Sequence, residues 1–307
     1  LRMTGRGSRE SSASGAAAVA LASMAGIATA TASFAWARWS NWSIQRTDVE
    51  VASQRLPQAF DRMRIVHVSD LHNAEFGPNN ARLLHAIRRA APDAIFITGD
   101  LVDSRQTRAE VAVRFVAAAA RIAPVYYVLG NHESRLDEYP QIEASLKRVG
   151  ATVLANRSVR LARDSEYVRV AGVMDPAFTA PHARGLAASV MERNLSCALR
   201  CTEDGGRAFT LLLTHRPELL PVYAGCHIDV AFAGHAHGGQ VRVPGVGGLF
   251  APSQGVLPKL TEGVHVMGRT QLVVSRGLGP SVVPMRVNNR PELVVVDLRS
   301  ASEDSRP

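Results

Sequence analysis

From about residue 44 onward, short apolar runs bounded by turn residues alternate with stretches whose apolar positions recur at helical spacing. The runs "MRIVHVSD" (63–70), "DAIFITGD" (93–100), "PVYYVLGNHE" (124–133), "YVRVAGV" (167–173), "FTLLLTH" (209–215), "DVAFAGH" (229–235), "QLVVSRG" (271–277) and "ELVVVDL" (292–298) are rich in β-branched and aromatic residues, as strands are. Segments near 79–91, 106–121 and 137–149 read as helices between the early strands. This alternation predicts an α/β domain over residues 44–300.

The front of the chain has a different pattern. Residues 1–15 are polar and predict a disordered tail, as do residues 301–307. Residues 16–37 carry no charge, and a helix of that length would span the roughly 30 Å hydrocarbon core of a bilayer. Half of the segment is alanine, and Trp36, Trp39 and Trp42 stand at its C-terminal edge, where an interfacial aromatic belt belongs. The pattern predicts an N-terminal membrane-anchor-like helix and a membrane location. A cleaved signal peptide, with "ATA" or "AWA" as its small-residue site, is the alternative. Arg2, Arg6 and Arg9 precede the segment and Arg38, Arg46 and Arg55 follow it, so the charges leave the orientation open.

Nearly every early strand runs into a charged or imidazole side chain. Asp70 and His72 follow the first, Asp100 the second, Asn131 and His132 the third, His215 the fifth, and His235 and His237 the sixth. In open α/β sheets ligands bind beyond the carboxyl ends of the strands, which gathers these residues at one rim. Gly99, Gly130 and Gly234 each precede one of them and let the backbone turn sharply there.

Two aspartates, an asparagine and four histidines make an oxygen and nitrogen shell without thiolate. That shell suits Mn²⁺, Fe²⁺/Fe³⁺ or Zn²⁺. They are too many for one ion, and a pair about 3.5–4 Å apart sharing one carboxylate would use them all.

Composition narrows the partners. A net charge of +8 favours phosphate, anionic lipid or nucleic acid, but the arginines are spread along the chain with no clustered basic and aromatic platform, so no nucleic-acid partner is expected. Cys197, Cys201 and Cys226 lack zinc-knuckle spacing and read as free thiols, with a Cys197–Cys201 disulfide as the alternative for an exported domain. His67, His85, His182, His227 and His265 have no partner motif and read as core or surface histidines.

The blocks "SDLH", "GDLVDS", "GNHE", "LTHRPE" and "GHAHGGQ", in this order, resemble the signature blocks of the calcineurin-like metallophosphoesterases. "LHNAEFG", "GHAHGGQVRVP" and "SRGLGPSVVPMRVNNRPEL" are similar to the bacterial branch with an N-terminal membrane anchor or export signal. The resemblance covers roughly residues 44–298 and implies a four-layer αββα sandwich with two mixed β-sheets. It implies two divalent transition-metal ions, the first on Asp70, His72 and His237 and the second on Asn131, His215 and His235, with Asp100 bridging. His132 would protonate the leaving oxygen or stabilise charge on the phosphoryl group, and a metal-bound hydroxide would attack phosphorus.

Asn73, Glu133, Gln240, Arg242 and Arg276 are candidates for touching substrate or bracing the ligands, and Arg286 flanks the same late loop as Arg276. Glu133 either orients His132 or steadies the turn, and Asp103 reads as a helix cap. Ala236 stands where the family usually has threonine or serine, which removes a hydroxyl and no ligand. The expected activity is phosphodiester hydrolysis on small or lipid-linked substrates by a monomer. The alternatives are a pyrophosphate hydrolase of a nucleotide-linked lipid precursor and a non-catalytic envelope-associated binding module.

Overall fold

The computed structural model describes residues 7–180, 184–200, 208–280 and 286–301. His182, Cys201 and the outer parts of both expected tails, residues 1–6 and 302–307, lie outside the described residues.

Helix α1 (Gly7–Trp42) comes first and is longer than the apolar pattern predicts, since residues 7–15 continue it. Among the described residues no helix is long and apolar enough to cross a membrane. With half of it alanine, the 16–37 segment falls short of the apolar character a span needs.

Strands β1 (Gln45–Ser53), β2 (Arg64–Val68), β3 (Ala94–Thr98), β4 (Val125–Val128) and β5 (Ala151–Val153) enter one sheet. Strands β6 (Arg157–Arg163), β7 (Glu166–Gly172), β8 (Thr210–Leu213) and β9 (Val230–Ala233) enter a second. Short strands β10 (Arg242–Val243), β11 (Gly247–Gly248), β12 (Phe250–Ala251) and β13 (Gly255–Val256) form two small hairpins. Strands β14 (Gly263–Met267) and β15 (Thr270–Val274) complete the second sheet, and β16 (Glu292–Ser300) returns to the first.

The first sheet has the order β1-β16-β2-β3-β4-β5 and the second β14-β15-β9-β8-β7-β6. Both are mixed: β2 to β5 run parallel while β16 opposes β2, and β7, β8, β9 and β15 run parallel while β6 and β14 oppose their neighbours. Strands covered on both faces have no polar side to show water, and β3, β4, β8 and β9 are buried at every position.

Three apolar clusters define the layers. Phe60, Ile65, Phe96, Val128, Leu211 and Phe232 pack between the two sheets. Helices α2 (Ala81–Ala90), α3 (Ala109–Ala119) and α4 (Tyr139–Arg148) cover the outer face of the first sheet through Leu83, Ile87, Phe115, Ile142 and Leu146. Helices α5 (Ala187–Leu199) and α6 (Leu220–Gly225) cover the second through Met191, Leu195 and Tyr223. The result is helices, sheet, sheet, helices. Strands β1, β5, β6 and β10 to β14 and helices α5 and α6 are elements the apolar runs did not announce; they are short or, like β1, carry partly exposed side chains.

Candidate active site

The parallel strands β2, β3 and β4 of one sheet and β8 and β9 of the other deliver the polar residues just past their C-terminal ends. Asp70, His72, Asp100, Asn131, His132, His215, His235 and His237 are all buried there. Asp70, His72, Asp100, His235 and His237 sit at φ of 52°, 45°, 51°, 65° and 48°, a left-handed conformation that few non-glycine residues adopt and that clusters at functional sites. The turns are also tight. A methyl group on Gly130 would overlap the Asp100 carboxylate, and one on Gly234 would overlap Ser69 and Asp70.

The side chains converge. The carboxylate of Asp70 accepts the His235 N–H with both oxygens, at 3.2 and 3.1 Å, and its Oδ1 lies 3.2 Å from His237 Nε2. His72 Nε2 lies 3.4 Å from His237 Nε2 and 3.6 Å from Asp100 Oδ2. His215 Nε2 reaches Asp100 Oδ2 at 3.3 Å, Asn131 Oδ1 at 3.1 Å and His235 Nδ1 at 3.2 Å. The Thr98 carbonyl accepts from His215 Nδ1 at 2.7 Å, which fixes the ring so that Nε2 is the nitrogen turned toward the cluster.

Three sets of described residues, Asp70 with His72 and His237, Asp70 with Asp100 and His215, and His72 with Asp103 and His132, each bring one ligand atom per residue within 4.8 Å of one another and could hold an ion. Burial pushes His72 down to about 3 and holds His235 and His237 well below the ordinary imidazole value, so these rings are neutral lone-pair donors. Burial raises Asp70 to about 6, with His215 pulling it down and Asp100 pushing it up. Burial also opposes charge on His215 and Asp100, but their mutual attraction wins, lifting His215 to about 10 and holding Asp100 well below its usual range. Two buried carboxylates among lone-pair nitrogens fit a pair of divalent metal ions, and nitrogen and oxygen donors without thiolate fit transition metals.

His132 stands beside this set. Its N–H donates to Asp100 Oδ1 at 2.8 Å, and its ring meets the His72 ring at a centroid distance of 4.5 Å. Its Nδ1 faces Ser104, whose backbone N–H and Oγ both lie at 3.1 Å. Asp103 Oδ1 is 3.7 Å from the same nitrogen and is bonded to Arg105. Asp103 is therefore not the cap of α3, whose N-cap position is Arg108.

Glu133 serves the turn. Its carboxylate accepts the N–H groups of Asp100, Leu101 and Gly130 at 2.9, 2.8 and 2.8 Å, tying the β3 and β4 loops together. Asn73 lies beside His72 and donates to the Gln106 carbonyl at 2.7 Å. Gln240 is buried past His237, where its own carbonyl accepts from Asn289 at 3.1 Å. Arg242 donates to the Gly238 carbonyl and pairs closely with Glu262. Arg276 pairs with Glu292 at 3.0 Å, so carboxylates already neutralise both arginines. Ser104 is the site residue that motif reading missed; the only signal was its place at the end of "GDLVDS".

Two mixed sheets packed face to face bring buried carboxylates and imidazoles together where their strands end, in a cluster that could hold divalent ions. Residues 63–239 match the model of the calcineurin-like phosphoesterase domain, and the chain belongs to that family of phosphoester hydrolases. The uncharacterized metallophosphoesterase YkoQ of Bacillus subtilis is 27% identical over 237 residues, 76% of this chain and 82% of that protein. The uncharacterized metallophosphoesterase YkuE of the same bacterium is 26% identical over 265 residues, 84% of this chain and 87% of its own. Phosphodiesterase YaeI of Escherichia coli is 29% identical over 247 residues, 76% of this chain and 82% of that protein.

Proposed function

We propose that the chain is a phosphodiesterase that works with two divalent transition-metal ions. Asp70, His72 and His237 hold the first, Asn131, His215 and His235 the second, and Asp100 lies between them. The observation that carries this reading is one continuous cluster: Asp70 with His72 and His237, Asp70 with Asp100 and His215, each set within 4.8 Å, and Asn131 and His235 both against His215 Nε2. Similarity to phosphodiesterase YaeI supports diesters as the substrate class.

Bound in these sets, the ions supply Lewis acidity that activates water and draws charge from the phosphoryl group. The chain's own residues do the rest. Asp70 and Asp100, buried and fixed by the backbone N–H groups of His235 and His132, cannot swing out to solvent. His132, whose Nδ1 accepts the Ser104 N–H, offers its Nε2–H as a hydrogen-bond donor that stabilises charge on the phosphoryl group and the leaving oxygen.

A lipid-linked diester is the second reading, and one observation favours it. Helix α1 exposes Leu21, Met24, Ile27, Phe34, Trp36, Trp39 and Trp42, an apolar surface that would hold the site beside a bilayer. Hydrolysis of bis-p-nitrophenyl phosphate by metal-stripped protein reloaded with Mn²⁺ tests the main reading. Turnover that needs the metal and is lost in Asp100→Ala supports it. No turnover by the folded, loaded protein overturns it for soluble diesters, and the same assay with a lysophospholipid diester then decides the second reading.

A further inference from the structure

The last turn of α1 docks against the rim of the site. Asn41 clamps the backbone of Arg286, its Nδ2 donating to the Arg286 carbonyl at 3.1 Å and its Oδ1 accepting the Arg286 N–H at 2.7 Å. Arg82 donates to the Trp42 carbonyl at 2.6 Å, and the Trp42 ring meets Phe76 edge-on at 5.7 Å between centroids. One residue row back, the Arg290 guanidinium lies 4.8 Å over the Trp39 ring and bonds Ser43 at 2.7 Å. The helix end is therefore part of the catalytic domain's surface, tied to residues 245 and 247 positions further along the chain and, 40 positions along, to α2.

These contacts set Trp42 at the wall of a cavity of about 550 Å³ that also borders His72. Ala74, Phe76 and Leu278 give the cavity further apolar lining, and Arg286 gives it a cation. Arg105 and Arg108 line it too, but they pair with Asp103 and with Glu75 and Glu110. Arg286 is buried, and its guanidinium donates to the carbonyls of Gly279 and Arg276 instead of a carboxylate. The carboxylates of Asp70 and Glu292 attract its charge without bonding it, and the guanidinium borders the cavity. Trp42 is half-exposed, so its free face is available to an occupant of the cavity.

We infer that this cavity is a subsite for the second ester arm of a phosphodiester, with Trp42 as the aromatic wall that grips a flat, apolar arm. The inference rests on the proposed diesterase reading and names where its substrate extends. His72 belongs both to the ligand cluster and to the cavity lining, so a phosphorus held at the cluster has the cavity as its neighbour. A monoester has no second arm to place there. Trp42 is thus a specificity residue for diesters, and α1 contributes to the site as well as to any surface attachment.

Binding is measured by calorimetry on the intact, Mn²⁺-loaded chain with two probes that cannot be hydrolysed. Diphenylphosphinate carries two aryl arms on phosphorus, and phenylphosphonate carries one. Trp42→Ala should weaken diphenylphosphinate about fivefold to tenfold, the worth of one aromatic contact, and change phenylphosphonate by less than about twofold. Trp42→Phe should retain most of the affinity. Equal losses on both probes, or no loss on diphenylphosphinate, would overturn the subsite. The selective loss together with no hydrolysis of any diester would leave the subsite standing and remove the diesterase reading.

Discussion

The backbone N–H of Ser104 donates to Nδ1 of His132 at 3.1 Å. A main-chain amide has no other role to offer, so the neutral imidazole carries its proton on Nε2. Burial lowers the ring's proton affinity more than Asp100 and Asp103 raise it, so the ring is neutral and its Nε2–H is a hydrogen-bond donor.

This tautomer makes a prediction about leaving groups. A phenol departs easily as its anion and needs little help, whereas a departing alkoxide gains from the Nε2–H hydrogen bond. His132→Asn should therefore lose about 10²- to 10³-fold in kcat on alkyl diesters and far less on p-nitrophenyl ones. The measurement is the dependence of kcat/KM on leaving-group pKa, which should steepen in the variant. Equal losses across the series would remove His132 from the leaving oxygen.

The crowded ligand set predicts stabilisation by metal. Asp70 and Asp100 share one buried cluster with too little positive charge around them. Mn²⁺ at about 100 times its Kd should add about 2.7 kcal/mol to unfolding stability, read as a rise in Tm, and a chelator should reverse it. Asp100→Asn should lose most of that rise.

Glu133→Gln replaces an acceptor-only carboxylate with an amide that turns two of its own donors toward three backbone N–H groups. Urea unfolding should show a loss of about 1–3 kcal/mol, and activity should fall because the Asp100 and Asn131 loops share that anchor. A variant as stable as the wild type would contradict the hydrogen-bond pattern.

His67 gives a pH prediction independent of metal. Burial pushes it down to about 3 from its ordinary 6.5, and its Nε2 bonds Thr98 Oγ1 at 2.8 Å. The unfolded chain thus binds a proton that the folded chain refuses. This contribution to stability is complete above pH 6.5 and is lost as pH falls toward 3. In His67→Leu, stability relative to the wild type should improve by about 1.4 kcal/mol for each pH unit below 6, measured by urea unfolding between pH 6 and 4.

The strands that carry the site were legible because they are buried on both faces, and a continuous run such as "AIFIT" can satisfy little else. The polar residues after those runs stood out for the same reason: a charge directly after a buried strand has no simple packing role. Strand β1 was obscured because its side chains alternate between partly exposed and exposed, and "QRTDVEVAS" reads equally well as a linker. The partner of His132 was hidden because it is a main-chain N–H, which every residue but proline carries. Trp42 invited an interfacial reading from its neighbours Trp36 and Trp39, while its contact with Phe76 depends on a fold that brings α1 to the cavity.

Strand β16 lies between β1 and β2 in the first sheet. A growing chain exposes every ligand motif well before it can close that sheet. Until residues 292–300 are released, β1 and β2 face an empty lane, and the turn carrying Asp70 and His72 hangs from an unfinished edge. The cage for the ligand residues is complete only once a strand far from them in sequence has slotted in.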